Sequence, residues 1–122
     1  MATILIVDDD NFLQAIYQKR FEDGGFDVIT ASNGEDALRL ARNRRPDLIV
    51  SDIVMPRMDG FALLGAISED PELSRIPVMM LTELAHQKDI DLCRSLGCAE
   101  YLIKSHVKPE EVVLRARRIL RM

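Results

Sequence analysis

Tryptophan is absent from this 122-residue chain, and its only aromatics are four phenylalanines and two tyrosines. Cysteine is equally scarce. Cys93 and Cys98 are too few for a disulfide framework and form no metal-ligand pattern. They are expected as reduced thiols packed like small hydrophobes. No apolar run approaches the ~20 residues of a bilayer span. Met1-Ala2-Thr3 leads straight into a short apolar run with no basic leader. Neither secretion nor membrane insertion is expected, and the cytoplasm is the default location. Excess positive charge is missing too: 16 lysines and arginines stand against 20 aspartates and glutamates, a net charge of -4. Phosphate backbones are bound by basic surfaces, so direct nucleic-acid binding by this chain is not expected. Repeats, low-complexity tracts and linkers are absent. The length suits one domain with one buried core, residues 1–122.

What is present is an alternation. Apolar runs of strand length alternate with helical patterns about five times, which predicts an α/β fold with a parallel sheet covered by helices on both faces. The strands read as continuous apolar runs, as expected when both sheet faces are buried. Asp27 to Ala31 is weaker and is expected near an edge. In the first helix Phe12, Leu13, Ile16, Tyr17 and Phe21 suggest one apolar stripe, with Asp10 as N-cap and Gly24-Gly25 as the stop. Asn33 is expected to cap the second helix. The third should bury Phe61, Leu64 and Ile67. The fourth has a thin stripe (Ile90, Cys93, Leu96) among many charges and should be the least firmly packed. Pro109 opens the last helix, which should bury Val112, Val113, Ala116, Ile119 and Leu120 and turn Arg115, Arg118 and Arg121 to solvent.

Four of the apolar runs end in residues suited to phosphoryl chemistry. Ile4 to Val7 runs into Asp8-Asp9-Asp10, Leu48 to Ser51 into Asp52, Val78 to Leu81 into Thr82, and Tyr101 to Ile103 into Lys104. In an open parallel sheet all strand C-termini share one edge, and ligands bind in the crevice outside it. Carboxylates gathered there repel one another unless a cation sits among them. Lys104 supplies one positive charge. Oxygen-only ligands favour magnesium as the other, held by Asp9 and Asp52 with Asp8 reaching it through water. Asp52, at the end of the central run, is the best nucleophile for an aspartyl phosphate. Lys104 and the Thr82 hydroxyl would then face the phosphoryl oxygens. Plainer readings exist for single residues. Asp10 suits capping better than metal contact, Thr82 is an ordinary strand residue, and Tyr101 is a half-buried strand aromatic. His86 and His106 lack ligand partners and are expected to be exposed.

Val7-Asp8-Asp9, Asp52 with Met55-Pro56-Arg57-Met58-Asp59-Gly60, Leu81-Thr82 and Tyr101-Leu102-Ile103-Lys104, in this order, resemble the receiver domain of two-component response regulators. The resemblance covers essentially the whole chain and is closest to the stand-alone, chemotaxis-receiver type, which has no output domain. It implies a flavodoxin-like doubly wound (βα)5 fold with strand order 2-1-3-4-5. It implies phosphorylation of Asp52 by a histidine kinase or phosphotransfer protein. It implies Mg2+ held by Asp8, Asp9, Asp52 and the backbone carbonyl of Val54, and contact of Thr82 and Lys104 with the phosphoryl group. Thr82 and Tyr101 would move together as the switch. On this reading the chain is not an enzyme beyond its own phosphoryl transfer and autodephosphorylation. It would signal as a monomer or phosphorylation-linked dimer, docking an output protein on the face of the fourth helix, fifth strand and fifth helix.

Two positions depart from the family pattern. Glu83 follows the threonine where a small residue is usual, and is expected to narrow access or repel small anionic donors. Ser105 follows Lys104 where a cis proline is usual. A cis bond without proline costs about 2.5–4 kcal/mol, so a trans peptide is expected there, or a strained cis one. These departures keep open an alternative, a phosphorylation-independent receiver-like adaptor. An aspartyl-phosphate phosphohydrolase is disfavoured, because Val54 stands where a general acid is needed. A flavin carrier is disfavoured because Asp8-Asp9-Asp10 would repel its phosphate.

Overall fold

The computed structural model describes residues 1–122. Five strands alternate with five α-helices: β1 (Thr3–Val7), α1 (Asn11–Asp23), β2 (Asp27–Ala31), α2 (Gly34–Arg44), β3 (Leu48–Ser51), α3 (Gly60–Glu69), β4 (Val78–Thr82), α4 (Gln87–Ser95), β5 (Glu100–Ile103) and α5 (Pro109–Leu120). A short 3-10 turn, Lys104–His106, joins β5 to α5. All pairings are parallel, in the order β2-β1-β3-β4-β5. This is the expected doubly wound order, and β2 is an edge strand, as its weaker pattern suggested.

The sheet separates two apolar layers. On one side Leu5, Val7, Ile49, Val78 and Met80 pack with Ala37, Leu38 and Ala41 of α2 and Leu63, Leu64 and Ile67 of α3. On the other, Ile4, Ile6, Leu48, Val50, Met79 and Leu81 pack with Tyr17 and Phe21 of α1 and Val112 and Ala116 of α5. Strand residues alternate between the layers because successive side chains point to opposite faces. Both layers are apolar, hence the continuous runs.

The helix ends follow the sequence closely. Asp10 Oδ1 accepts from the N–H groups of Phe12 and Leu13 at 3.0 and 3.1 Å, and Asn33 Oδ1 accepts from Asp36 N–H at 2.8 Å. Helix α4 lacks a side-chain cap and buries only Cys93, so it is thinly attached as expected. His86 and His106 are exposed.

Four side chains, Phe12, Ile16, Phe61 and Arg115, differ from the sequence reading. Phe12 is 74% exposed. The stripe of α1 narrows to Leu13, Tyr17 and Phe21, since at about 3.6 residues per turn Phe12 and Ile16 lie beside that face rather than on it. Leu63 rather than Phe61 is fully buried in α3, and Phe61 only packs against that layer. Arg115 is no solvated arginine: it bridges Glu100 of β5 at 3.3 Å and Glu111 at 3.0 Å. Arg117 also turns inward. It donates to Gly24 O at 2.6 Å and lies over the Phe26 ring, 5.1 Å from its centroid.

Candidate functional site

Strand order reverses at β1 and β3, which opens a crevice beyond their carboxyl ends. Asp8 and Asp9 follow β1, and Asp52 follows β3. The backbone holds these ends in register: Asp8 N–H donates to Ala31 O at 3.1 Å and Asp52 N–H to Val7 O at 2.9 Å. Gln14 of α1 donates to Asp8 O at 3.0 Å and to Ala31 O at 2.9 Å, fastening the helix to the same edge. Gly60, the first residue of α3, packs directly beneath Asp52. A Cβ there would collide with the Asp52 carbonyl oxygen and lie 2.7 Å from Ile53 Cα. Only glycine lets α3 start so close to the end of β3.

Lys104 arrives from β5 and joins the carboxylates. Its ammonium lies 2.7 Å from Asp52 Oδ2 and 2.8 Å from Asp8 Oδ2. All three side chains are nearly buried. No peptide bond is cis, so Lys104 reaches the cluster on a trans peptide to Ser105. Burial lowers the lysine's affinity for its proton, but its hydrogen bonds to Asp52 and Asp8 outweigh this and raise its pKa to about 12. The Asp8 carboxyl is also pushed up, by burial above all and by the neighbouring Asp52 charge, against the pull of Lys104 and the Asp10 N–H. One ammonium is thus shared between two carboxylates.

Carboxylate oxygens, one each from Asp8, Asp9 and Asp52, lie within 4.8 Å of one another. The pocket they open has a volume of about 510 Å³ and is also lined by Asp10, Leu13, Tyr17, Glu83, Lys104 and Ser105.

Comparison with known proteins agrees with this geometry. The model of the response regulator receiver domain family matches residues 4–117. The chain belongs to this family. It is 38% identical over 118 residues to the alkaline phosphatase synthesis transcriptional regulatory protein PhoP of Bacillus subtilis, covering 97% of this chain and 48% of that protein. It thus spans about half the length of the curated relatives it matches. Among solved structures, the signal receiver domain of a histidine kinase from Syntrophus aciditrophicus superposes with a TM-score of 0.91 at 32% identity, covering 99% of this chain and 91% of that one. A chemotaxis response regulator of Vibrio cholerae gives 0.90 at 30% identity, with 98% of each chain covered.

The receiver's donor set suits a hard divalent cation. It offers carboxylate oxygens only, and Lys104 offsets one of three negative charges. Thr82, buried at the end of β4, accepts from Leu84 N–H at 3.3 Å through Oγ1. Tyr101 of β5 donates from its hydroxyl to Leu84 O at 2.7 Å. Both therefore hold Leu84, and with it the loop into α4. Val54 lies in the loop after Asp52 with its side chain exposed. Receivers are the phosphorylation-controlled switches of two-component signalling, and no helix of this one is long and apolar enough to cross a membrane.

Sequence reasoning missed Gln14 and Tyr17, which looked like ordinary α1 residues. No local signal marked Gln14. Tyr17 carried one: a hydroxyl within an otherwise apolar stripe, about two turns beyond the aspartates.

Proposed function

We propose that residues 1–122 act as one receiver unit in which Asp52 is the sole phospho-acceptor. Lys104 bridging Asp52 and Asp8 is the observation that carries this reading, because it places a cation where a phosphoryl oxygen would need one. An Asp52 oxygen attacks the phosphorus of an N-phosphorylated donor. The new O–P bond forms as the N–P bond breaks, and the departing nitrogen leaves with the bond's electron pair and takes up a proton. Lys104 offsets charge on the transferring group, and the Thr82 hydroxyl turns from Leu84 to donate to one of its oxygens. Asp8, Asp9, Asp52 and the Val54 carbonyl would hold Mg2+, with Asp8 acting through water. When bound, Mg2+ neutralises charge on the phosphoryl oxygens.

The phosphodonor is a histidine kinase or phosphotransfer protein. Output passes through Leu84. Withdrawal of Thr82 frees one end of the clasp and leaves Tyr101 to resettle, which alters α4 and the α4–β5–α5 face offered to an output protein. The thin packing of α4 supports this route.

A second reading, a phosphorylation-independent adaptor, draws on one observation: Glu83 and Ser105, the two departures from the family pattern, are bonded to each other beside the pocket. Intact mass separates the two. Incubation with Mg2+ and phosphoramidate should add one phosphoryl group to the wild type and none to Asp52→Asn. Absence of an adduct on the wild type favours the adaptor. A stoichiometric adduct on Asp52→Asn overturns the acceptor assignment.

A further inference from the structure

Tyr17 is the only hydroxyl on the α1 wall of the acidic pocket. It lies two turns into α1, and helical side chains lean back toward the N-terminus. Its ring therefore runs over the turn of Leu13 toward Asp8–Asp10. The residue is 5% exposed and packs among the apolar layer of Phe21, Ile6, Leu102 and Val112.

No side chain or backbone group of the protein accepts from or donates to the Tyr17 hydroxyl. Yet no fully buried side-chain oxygen or nitrogen in the molecule lacks a partner. The Tyr17 hydroxyl is therefore not sealed off from solvent, and Tyr17 lines the pocket with Asp8, Asp52, Glu83 and Lys104. The charges of Lys104, Asp8, Glu83 and Asp52 all act on it, and burial raises its pKa, so it stays a neutral O–H donor at physiological pH. A buried tyrosine hydroxyl normally finds a partner. Packing alone would be served by a phenylalanine or leucine.

We propose that Tyr17 is a phosphoryl-binding residue: its hydroxyl donates a hydrogen bond to an oxygen of the group bound at Asp52. The inference rests on Asp52 being the acceptor. It adds to Lys104 and Thr82 a third donor, from α1. The donor is uncharged and its ligand anionic, so the bond is charge-assisted and makes a measurable contribution to affinity.

The test uses beryllofluoride as the phosphoryl mimic and the Tyr17→Phe variant, which removes one oxygen and keeps the ring. Affinity for beryllofluoride in saturating Mg2+ should fall about tenfold. Mg2+ affinity without the mimic, and the melting temperature without either, should remain at wild-type values. A Tyr17→Leu variant, which gives up the ring as well, should lose no more than about a further twofold in mimic affinity. The chain has no tryptophan, so in a Tyr101→Phe background emission at tyrosine wavelengths comes from Tyr17 alone and should change as the mimic binds. Wild-type affinity for the mimic in Tyr17→Phe overturns the proposal while leaving Asp52 as acceptor. Failure of the wild type itself to bind the mimic overturns Asp52 as acceptor, the reading on which the proposal rests.

Discussion

The Ser105 N–H donates to Glu83 Oε1 at 2.9 Å, across the mouth of the acidic pocket. The two positions that depart from the family pattern are thus partners. A proline at 105 would have no N–H to offer. The bond ties the loop behind Thr82 to the turn that carries Lys104, and does so through a trans peptide.

The bond predicts a separable pair of effects at Glu83. Glu83→Ala should speed amide exchange at Ser105 about fivefold, the equivalent of a ~1 kcal/mol hydrogen bond. Glu83→Gln keeps an acceptor and should leave that exchange within about twofold of wild type. Charge behaves differently. Both variants should react severalfold faster with acetyl phosphate at low ionic strength, with the gain shrinking as salt screens the site. Equal Ser105 exchange in wild type and Glu83→Ala would show that the contact does not hold in solution. An acetyl phosphate rate indifferent to Glu83→Gln would show that its charge does not reach the donor.

Lys104 makes stability depend on alkaline pH. Its folded-state pKa is raised from 10.5 to about 12, so the folded protein holds a proton that the unfolded chain releases earlier. The stabilisation is complete below about 10.5 and is lost as pH rises through about 12, amounting to roughly 1–2 kcal/mol. Tyr101, raised to about 12 by burial, acts with the same sign. Lys104→Met isolates the lysine. Denaturant titrations between pH 9 and about 12 should show a shallower decline in the variant. Parallel declines would remove Lys104 from the cause. At neutral pH the variant should be less stable than wild type, since two carboxylates lose their shared cation.

The carboxylates predict opposite effects on metal and fold. The Asp8 pKa is raised, so its ionised form is unfavourable in the fold at neutral pH, and that cost is relieved as pH falls toward the ordinary carboxylate range. Asp8→Asn should raise the melting temperature at pH 7 by about 2–4 °C without metal, and the gain should vanish in acid. Asp9→Ala, at the exposed corner of the cluster, should spare the fold and weaken Mg2+ binding by about tenfold or more. Mg2+ and a phosphoryl mimic should each tighten the other by the same factor, because coupling is reciprocal. Calorimetric titration with unchanged Mg2+ affinity in Asp9→Ala would count against the site.

The clasp on Leu84 predicts where the switch is felt. Hydrogen exchange on the free protein should show faster opening in α4 than in α1 or α5, since α4 buries one residue and lacks a side-chain cap. With Mg2+ and beryllofluoride bound, protection between Thr82 and Leu96 and around Tyr101 should change while α1 beyond Tyr17 stays as it was. Unchanged protection there with the mimic demonstrably bound would favour the adaptor.

Much of this was legible in the chain because it is local. Apolar runs with no polar alternation specify strands buried on both faces. Asp10, Asn33 and Pro109 mark helix starts through groups within three residues. Aspartates, threonine and lysine at four strand ends must share one edge once the sheet is parallel. Periodicity, though, names a face and not its depth. Phe12 obeys the i, i+4 spacing with Ile16 and still points to solvent, because it lies beside the face that Leu13, Tyr17 and Phe21 turn to the core. The rest depends on groups distant in sequence. Lys104 and Asp52 meet across 52 residues, Glu83 and Ser105 across 22, Arg117 and Gly24 across 93. Short-range propensity carries no information about such pairs. The sequence alone determined which chemical groups would gather and on which edge of the sheet. Only the tertiary structure decided that one ammonium is shared by two carboxylates, that Glu83 is held by a backbone N–H, and that Tyr17 lines the pocket, since each depends on the spacing between chain segments set by packing of the two apolar layers.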